Sequence, residues 1–260
     1  MALLDPVERS ARGADVRFRL LNGAPTPTGT LYEQSWRDFV FAEVWDRPGL
    51  ATRARFLIAI AGSADVGEQY MLDRYVEGAL ASRELSVSEL REAALHVAVY
   101  SGWSVGARID RATTTACAAL GLVDQPSPLI RADAWDPAQR ITDGVANFAK
   151  VMTFGGPPPQ TAYFEAGIVN FVFGEMWTRP GLDEVSRRWL TLVGVADSAS
   201  DNPIRSHVYA AMKSGNATRD EMLEFVLQYA IHAGWPKASV VQIAVLQQAE
   251  RVANGLPFEP

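Results

Sequence analysis

Cysteine is almost missing from this chain: Cys117 is the only one in 260 residues. A single thiol cannot form an internal disulfide, so chemistry that needs a cysteine pair within the chain is excluded and a reducing cytoplasm is the expected location. Histidine is nearly as scarce. His96, His207 and His232 are the three in the sequence, and none has the close pairing of a His-x-x-x-His site, so we expect no metal.

Runs of one charge sign and long apolar runs are also missing. The chain has 24 basic and 30 acidic residues, a net charge of −6, and no basic stripe, which argues against nucleic acid as a partner. No apolar stretch approaches the ~18 residues of a membrane span, and the first residues lack the features of a signal peptide. No glycine-rich phosphate loop, dinucleotide fingerprint or Gly-x-Ser-x-Gly elbow occurs, so nothing requires an organic cofactor. A small-molecule substrate is the expected partner.

What the sequence does contain is two copies of one domain. The segment WDRPGL at 45–50 recurs as WTRPGL at 177–182, an offset of 132 residues that holds without a gap from 39–103 to 171–235. Of those 65 paired positions, 22 are identical. This period is too long for a solenoid repeat and fits the duplication of a whole domain. The predicted domains are residues 1–130 and 131–260.

Both copies have the apolar pattern of helices. Residues 221–233 are apolar on almost every side, a capping box from Thr218 to Glu221 precedes them, and Gly234 follows. We find no convincing alternation of strand residues, so the predicted fold is all-α. Further helices are predicted near 31–45, 51–64, 69–82, 104–120 and 136–153, with a link between the copies near 121–135.

A polar stripe runs along the helix predicted at residues 221–233 and along its counterpart in the first copy, at the 132-residue offset. In the second copy it is Glu224, Gln228 and His232 at successive i, i+4 steps, and in the first copy it is Glu92, His96 and Tyr100. A solvent-facing stripe is one interpretation. Imidazole and phenol groups in place of lysine and arginine, with glutamate kept in both copies, favour the wall of a pocket.

Two further positions are candidates for chemistry. His207 pairs with Tyr75 of the first copy, so the copies are not chemically equivalent there; a packed or surface histidine is the alternative. Arg187 and its counterpart Arg55 begin an apolar helix. They suit either a buried structural ion pair or an anion-binding role.

Five segments of the second copy, each modest alone, occur in a specific order and spacing: 173–182 (FGEMWTRPGL), 186–187 (SR), 207–215 (HVYAAMKSG), 218–222 (TRDEM) and 227–236 (LQYAIHAGWP). Together they resemble the carboxymuconolactone decarboxylase family, and the resemblance covers both copies. It implies an all-helical, alkylhydroperoxidase D-like fold. The related peroxidase branch needs a Cys-x-x-Cys pair before the histidine; Ser200 and Pro203 stand there, so a cysteine-dependent peroxidase is not expected.

The resemblance also implies roles for residues. His207 falls on the family histidine that is thought to serve proton transfer, and His232 stands where the family usually has tyrosine. Because the first copy lacks the histidine, the active site is expected in the second copy and an altered site in the first. The predicted catalytic residues are His207, Arg187, Glu224 and His232; the predicted substrate contacts are Trp177, Phe173, Gln228 and Trp235; the possible first-copy site is Tyr75, Arg55, Glu92, His96 and Tyr100.

The implied activity is that of a cofactor-independent lyase that removes CO2 from an unsaturated lactone or related conjugated acid. His207 would donate the proton and Arg187 would hold the substrate carboxylate. The altered stripe favours an alternative, a cofactor-free isomerase or hydrolase of a related cyclic substrate, including a biosynthetic tailoring step. The lost histidine of the first copy favours another, a non-catalytic ligand-binding or scaffold protein.

The resemblance further predicts a homo-oligomer. Single-domain members typically form hexameric rings, so a fused pair is expected to form a trimer, with about three chains per particle. Size-exclusion chromatography with light scattering measures this mass directly. A clean monomer would count against the analogy.

Overall fold

A computed structural model describes residues 5–23, 29–127, 129 and 133–259. The helices of the first copy are α1 (Pro6–Leu20), α2 (Leu31–Ser35), the π-helix π1 (Trp36–Trp45), α3 (Thr52–Val66), α4 (Gln69–Ala81), α5 (Val87–Ser101) and α6 (Trp103–Ala119). Those of the second copy are α7 (Pro137–Met152), the π-helix π2 (Tyr163–Phe173), a 3₁₀ turn (Met176–Thr178), α8 (Glu184–Asp197), α9 (Asp201–Lys213), α10 (Arg219–Ala233) and α11 (Trp235–Ala253).

The prediction of an all-α fold made by tandem duplication is confirmed. No strand occurs in the ranges just given, and each helix of the second copy has its counterpart in the first. The two capping boxes form as predicted: Glu89 and Glu221 each bond back to the residue that caps the same helix. Within the predicted link, positions 128 and 130–132 lie outside the described residues.

The helix that carries the polar stripe in each copy, α5 or α10, packs against the opposite copy; α5 and α10 are called the exchanged helices below. Helix α5 of the first copy packs on α8 of the second, α10 of the second packs on α3 of the first, and α3 also packs on α8. A glycine in each central helix permits this approach. A Cβ atom on Gly194 would lie 2.8 Å from Cβ of Tyr100, and one on Gly62 would lie 2.9 Å from Cβ of His232. Both contacts join one copy to the other.

The repeated Arg-Pro-Gly-Leu segment forms part of a binding site for a glutamate of the opposite copy. Arg179 donates to Glu92 from Nε at 2.8 Å and from Nη2 at 2.6 Å, and Arg187 Nη2 donates to the same carboxylate at 3.2 Å. A Cβ on Gly181 would lie 2.6 Å from Cγ of Glu92, so this glycine gives the glutamate its space. Each feature of the repeated motif thus has a physical reason.

The first copy binds a glutamate of the second copy in the same way. Arg47 donates to Glu224 from Nε at 2.8 Å, and Arg55 Nη2 donates to Glu224 Oε2 at 3.2 Å. The ion pair formed by the first copy is more exposed to solvent. The side chains of Arg47 and Glu224 are 33% and 12% exposed, against 9% and 2% for Arg179 and Glu92. One ion pair between the copies is therefore fully buried and the other is partly solvated.

None of the described helices has the length and apolar character that crossing a bilayer requires.

The difference in burial between the Arg179–Glu92 and Arg47–Glu224 ion pairs predicts unequal losses of stability. Glu92→Ala leaves two buried guanidinium groups without their anion, which costs about 3–5 kcal/mol. At about 2–4 °C per kcal/mol, the melting temperature should fall by roughly 10 °C. Glu224→Ala is the matched control and should lower it clearly less. Thermal unfolding followed by circular dichroism measures both, and equal losses would contradict the assignment.

Candidate active site between the copies

The exchanged helices bring the candidate residues into two clusters, each drawn from both copies. The His207 cluster contains residues of the second copy and the α5 stripe of the first: His207, Arg188, Thr191, Trp177, His96 and Tyr100. The Tyr75 cluster contains their counterparts at the 132-residue offset: Tyr75, Phe56, Ala59, Trp45, Gln228 and His232.

His207 and Tyr100 meet although they belong to different copies. The rings are perpendicular, with centroids 5.6 Å apart. Trp177 Nε1 donates to the Tyr100 hydroxyl at 2.8 Å. Burial raises the pKa of Tyr100, so the phenol keeps its proton at neutral pH. Tyr100 therefore retains an O–H group beside His207.

His96 lies behind Tyr100 in a hydrogen-bond chain. Arg187 Nη1 lies 3.5 Å from His96 Nδ1, and His96 Nε2 lies 2.8 Å from Thr191 Oγ1. A guanidinium only donates, so this contact is a hydrogen bond when Nδ1 is the acceptor, which is the tautomer with its proton on Nε2, toward Thr191. Burial and then the positive charge of Arg187 hold the pKa of His96 well below its usual value. His96 is therefore neutral.

Arg188 contacts His207 as Arg187 contacts His96, with a guanidinium nitrogen beside Nδ1 of the ring. Its Nη1 lies 3.4 Å from His207 Nδ1, and its guanidinium carbon lies 4.9 Å from the centre of the Trp177 ring. Burial first, and then the charge of Arg188, lower the pKa of His207 to about 3. In the unliganded site His207 is therefore also a neutral imidazole at physiological pH.

A mainly apolar cavity of about 680 Å³ is lined by both His207 and Tyr100. Helices α7, π2, α8 and α9 form most of its wall, and α5 contributes Tyr100. This size and character suit a small organic ligand with few polar groups. The apolar wall includes Phe148, Met152, Phe164, Ile168, Phe173 and Phe258.

The Tyr75 cluster is filled with side chains. Tyr75 and Phe56 have no exposed surface, and both pack on Trp45, with ring centroids at 5.5 Å and 5.1 Å. His232 contacts Tyr75 edge to face at 5.8 Å, and burial lowers its pKa to about 4. The histidine–tyrosine pair is thus present here with its two members interchanged, but against an apolar background.

The structure corrects the predicted grouping of the site. Glu224, Gln228 and His232 were placed with His207, but they lie in or beside the Tyr75 cluster, because α10 packs on the first copy. His96 and Tyr100, assigned to a first-copy site, join His207 instead. Gln228 accepts from Arg55 Nη1 at 2.9 Å.

The expected role of Arg187 in holding a substrate carboxylate is not supported. Each nitrogen of its guanidinium already faces a protein acceptor: Nε bonds to Leu182 O, Nη1 approaches His96, and Nη2 bonds to Arg179 O and Glu92. The structural ion pair, the other reading of its sequence position, is what forms. Arg55 forms the matching ion pair: its Nη1 and Nη2 bond to Gln228, Arg47 O and Glu224, while its Nε has no hydrogen-bond partner.

The aromatic predictions divide in the same manner. Phe173 lines the cavity, and Trp177 stacks behind it with ring centroids 6.3 Å apart. Trp235 is 54% exposed and contacts Phe39 in a tilted arrangement with ring centroids 5.9 Å apart, outside both clusters.

Sequence reasoning missed Arg188 and Thr191. Both were visible at the 132-residue offset, where Phe56 and Ala59 stand opposite them. A buried cation and a hydroxyl in one copy, facing apolar residues in the other, mark the positions where the two clusters differ most.

No group of three or more His, Cys, Asp or Glu side chains in the described part of the chain is arranged to hold a metal ion.

The sequence of both copies matches that of a known family. The sequence model of the Carboxymuconolactone decarboxylase family matches residues 31–114 and 162–248, more than half of the chain. The chain belongs to this family, as a tandem member with two copies of its domain. It is also similar to a "4-carboxymuconolactone decarboxylase" of Acinetobacter baylyi, with 31% identity over 97 residues that span 37% of this chain and 69% of the relative.

A second polar feature lies between the copies, where Asp65 of α3 meets Asp197 of α8. Asp197 accepts hydrogen bonds from Tyr229 and Lys237, both at 2.9 Å. Burial first, and then the adjacent Asp197, raise the pKa of Asp65 to about 7, while the Ser101 hydroxyl partly opposes this. Asp65 therefore keeps its proton in the folded protein at mildly acidic pH.

This raised pKa predicts a stability that falls as pH rises. Above its ordinary pKa of about 3.9, Asp65 releases its proton in the unfolded chain but retains it in the folded one, so the folded state loses ground until Asp65 ionises there too, near pH 7. Asp65→Asn should therefore melt up to roughly 10 °C above the unmodified protein at pH 8, with the gap closing toward pH 4. Asp197→Asn, which loses the ion pair with Lys237, should be destabilised instead. A gap independent of pH would refute the account.

Proposed function

We propose that the protein is a cofactor-independent, decarboxylase-like lyase acting on an unsaturated lactone or related conjugated carboxylic acid at the His207 cluster. One observation carries the proposal. The wall of the cavity is mainly apolar, and it includes His207 and Tyr100, two neutral groups from opposite copies whose rings are in contact.

The chemistry follows from where charge develops. When the bond to the carboxylate breaks, CO2 leaves and the electron pair moves through the conjugated system to the carbonyl oxygen. Donors fixed beside that oxygen stabilise the dienolate, and they do so most strongly in a cavity that excludes water. His207 donates a hydrogen bond to the oxygen from one side and Tyr100 donates one from the other, and both groups keep their protons. The carbon of the dienolate then takes a proton from solvent, which restores the carbonyl group.

The apolar wall supports the first step. A carboxylate placed against Phe173 and its neighbours loses its hydration, which favours the release of neutral CO2. The same two donors serve a proton shift in a conjugated carbonyl compound. That second candidate, a cofactor-free isomerase, is favoured by Arg187, because its engagement with Glu92 removes the cation that was expected to hold a carboxylate.

The family membership and the Acinetobacter relative support a lyase of this kind for the chain. We further propose that it acts in the cytoplasm as a homo-oligomer.

The proposal predicts unequal effects at the paired positions His207 and Tyr75. His207→Ala should lower kcat by ~10²–10³, the range for loss of one hydrogen-bond donor to an oxyanion. Tyr75→Phe, in the filled cluster, should change it much less. The assay incubates each variant with a panel of conjugated lactone acids and follows CO2 release together with deuterium uptake from D2O.

Each result has a distinct reading. Equal losses at both positions, or a large loss only at Tyr75, would reverse the assignment of the site. Deuterium uptake without CO2 would favour the isomerase. If neither product forms across the panel, the chain is a ligand-binding protein.

A further inference from the structure

Arg188 differs from the other fully buried arginines of the chain. Arg55 and Arg187 each form an ion pair with a glutamate of the opposite copy, at 3.2 Å in both cases. Arg188 has no exposed surface, yet among the described residues no carboxylate lies within ion-pair distance of it. Burying a guanidinium without its counter-ion is costly, so this residue needs a reason beyond stability.

The contacts of Arg188 fix the direction of its guanidinium. Nη2 donates to Val151 O at 2.6 Å and Nε donates to Asn216 Oδ1 at 3.1 Å. The group also lies over the ring of Trp177. These three contacts hold the guanidinium on its far side and leave Nη1 facing His207 Nδ1 at 3.4 Å.

The duplication supplies an independent comparison. At the 132-residue offset, Phe56 stands opposite Arg188 and Tyr75 opposite His207. The cation therefore occurs in the copy that has the histidine, and an apolar ring replaces it in the copy that does not. By contrast, the position of Arg187 holds arginine in both copies, as the structural ion pair formed there requires.

We propose that Arg188 is a positioning residue that fixes the tautomer of His207, so that the ring proton lies on Nε2 and is presented to the cavity. The physical reason is that a guanidinium has donors and no acceptor. Nδ1 of His207 must therefore be the unprotonated nitrogen, and the single proton of the neutral ring is left on Nε2. His207 lines the cavity, and its Nε2 is not among the buried polar atoms that lack a partner.

The consequence for chemistry rests on the proposed function, although the tautomer itself does not. With Nε2–H fixed, a neutral His207 donates to a developing oxyanion without first gaining a proton. The groups that face it act together: Arg188 disfavours the imidazolium, His96 is a neutral neighbour, and Tyr100 adds the second donor. With the other tautomer, Nε2 would be an acceptor and would repel the oxyanion.

Nitrogen-15 NMR of the unliganded protein tests the tautomer without any substrate. The chain has three histidines, so the spectrum is simple, and His207→Gln identifies the signals of His207. At pH 7 we expect His207 to be neutral, with Nε2 protonated and Nδ1 bare. A proton on Nδ1, or an imidazolium, would overturn the proposal.

Arg188→Phe, the residue of the first copy, and Arg188→Lys, which keeps a donor, form the matched pair of variants. In Arg188→Phe we expect the Nδ1–H form of His207 to appear and its pKa to rise toward the ordinary value; Arg188→Lys should retain the Nε2–H form. An unchanged tautomer in a folded Arg188→Phe protein would overturn the proposal. Should Arg188→Phe not fold, the spectra of the unmodified protein and of Arg188→Lys still decide.

Activity adds a second readout. Arg188→Phe should lower kcat by on the order of 10²-fold with a smaller change in KM, and Arg188→Lys should recover part of that loss. A loss confined to KM would contradict a positioning role. If His207 shows the expected tautomer but no conjugated acid is turned over, the proposed function fails and the assignment of Arg188 stands.

Discussion

The fold depends on one reciprocal interaction: each copy holds a glutamate of the other between two arginines. Glu92 is bound by Arg179 and Arg187, and Glu224 by Arg47 and Arg55. These ion pairs hold α5 and α10 on the opposite copy. They explain why the Arg-Pro-Gly segment, the later arginine and the glutamate are identical in both halves, since a change in any of them leaves a charge buried without its partner.

The chemistry is placed by the same exchange. A glutamate held on the other copy carries its stripe with it, so the residues one and two turns further along enter a cluster of the opposite copy. His96 and Tyr100 of the first copy thereby complete the His207 cluster, while Gln228 and His232 join Tyr75. The duplication allowed the two clusters to diverge: one keeps a cavity and the other is filled by Phe56 and Tyr75.

Much of this fold could be predicted from the sequence. The 132-residue offset gave the duplication, and the caps at Ser86 and Thr218 gave the starts of two helices. The candidate residues were also found, because imidazole and phenol groups are unusual on a stripe. What the sequence could not show was which residues meet. Periodicity places Glu224 and His232 on one helix face, but it does not reveal which copy that face packs against.

Arg187 and Arg188 show the same limit at the level of single residues. They are adjacent in sequence, yet one is bonded into a structural ion pair and the other faces the histidine. Without coordinates, only the comparison with Phe56 could have separated them. Retention in both copies would then indicate a structural role, and divergence between the copies would indicate the site.

The central claim is that the chain has one ligand site, built from both copies at His207. Titration calorimetry with a conjugated lactone acid, using the His207→Ala protein to slow turnover, measures the number of sites directly. The account predicts one ligand per chain, with binding lost when Ile168→Trp fills the cavity. Two equivalent sites per chain, or one site that survives Ile168→Trp, would contradict it.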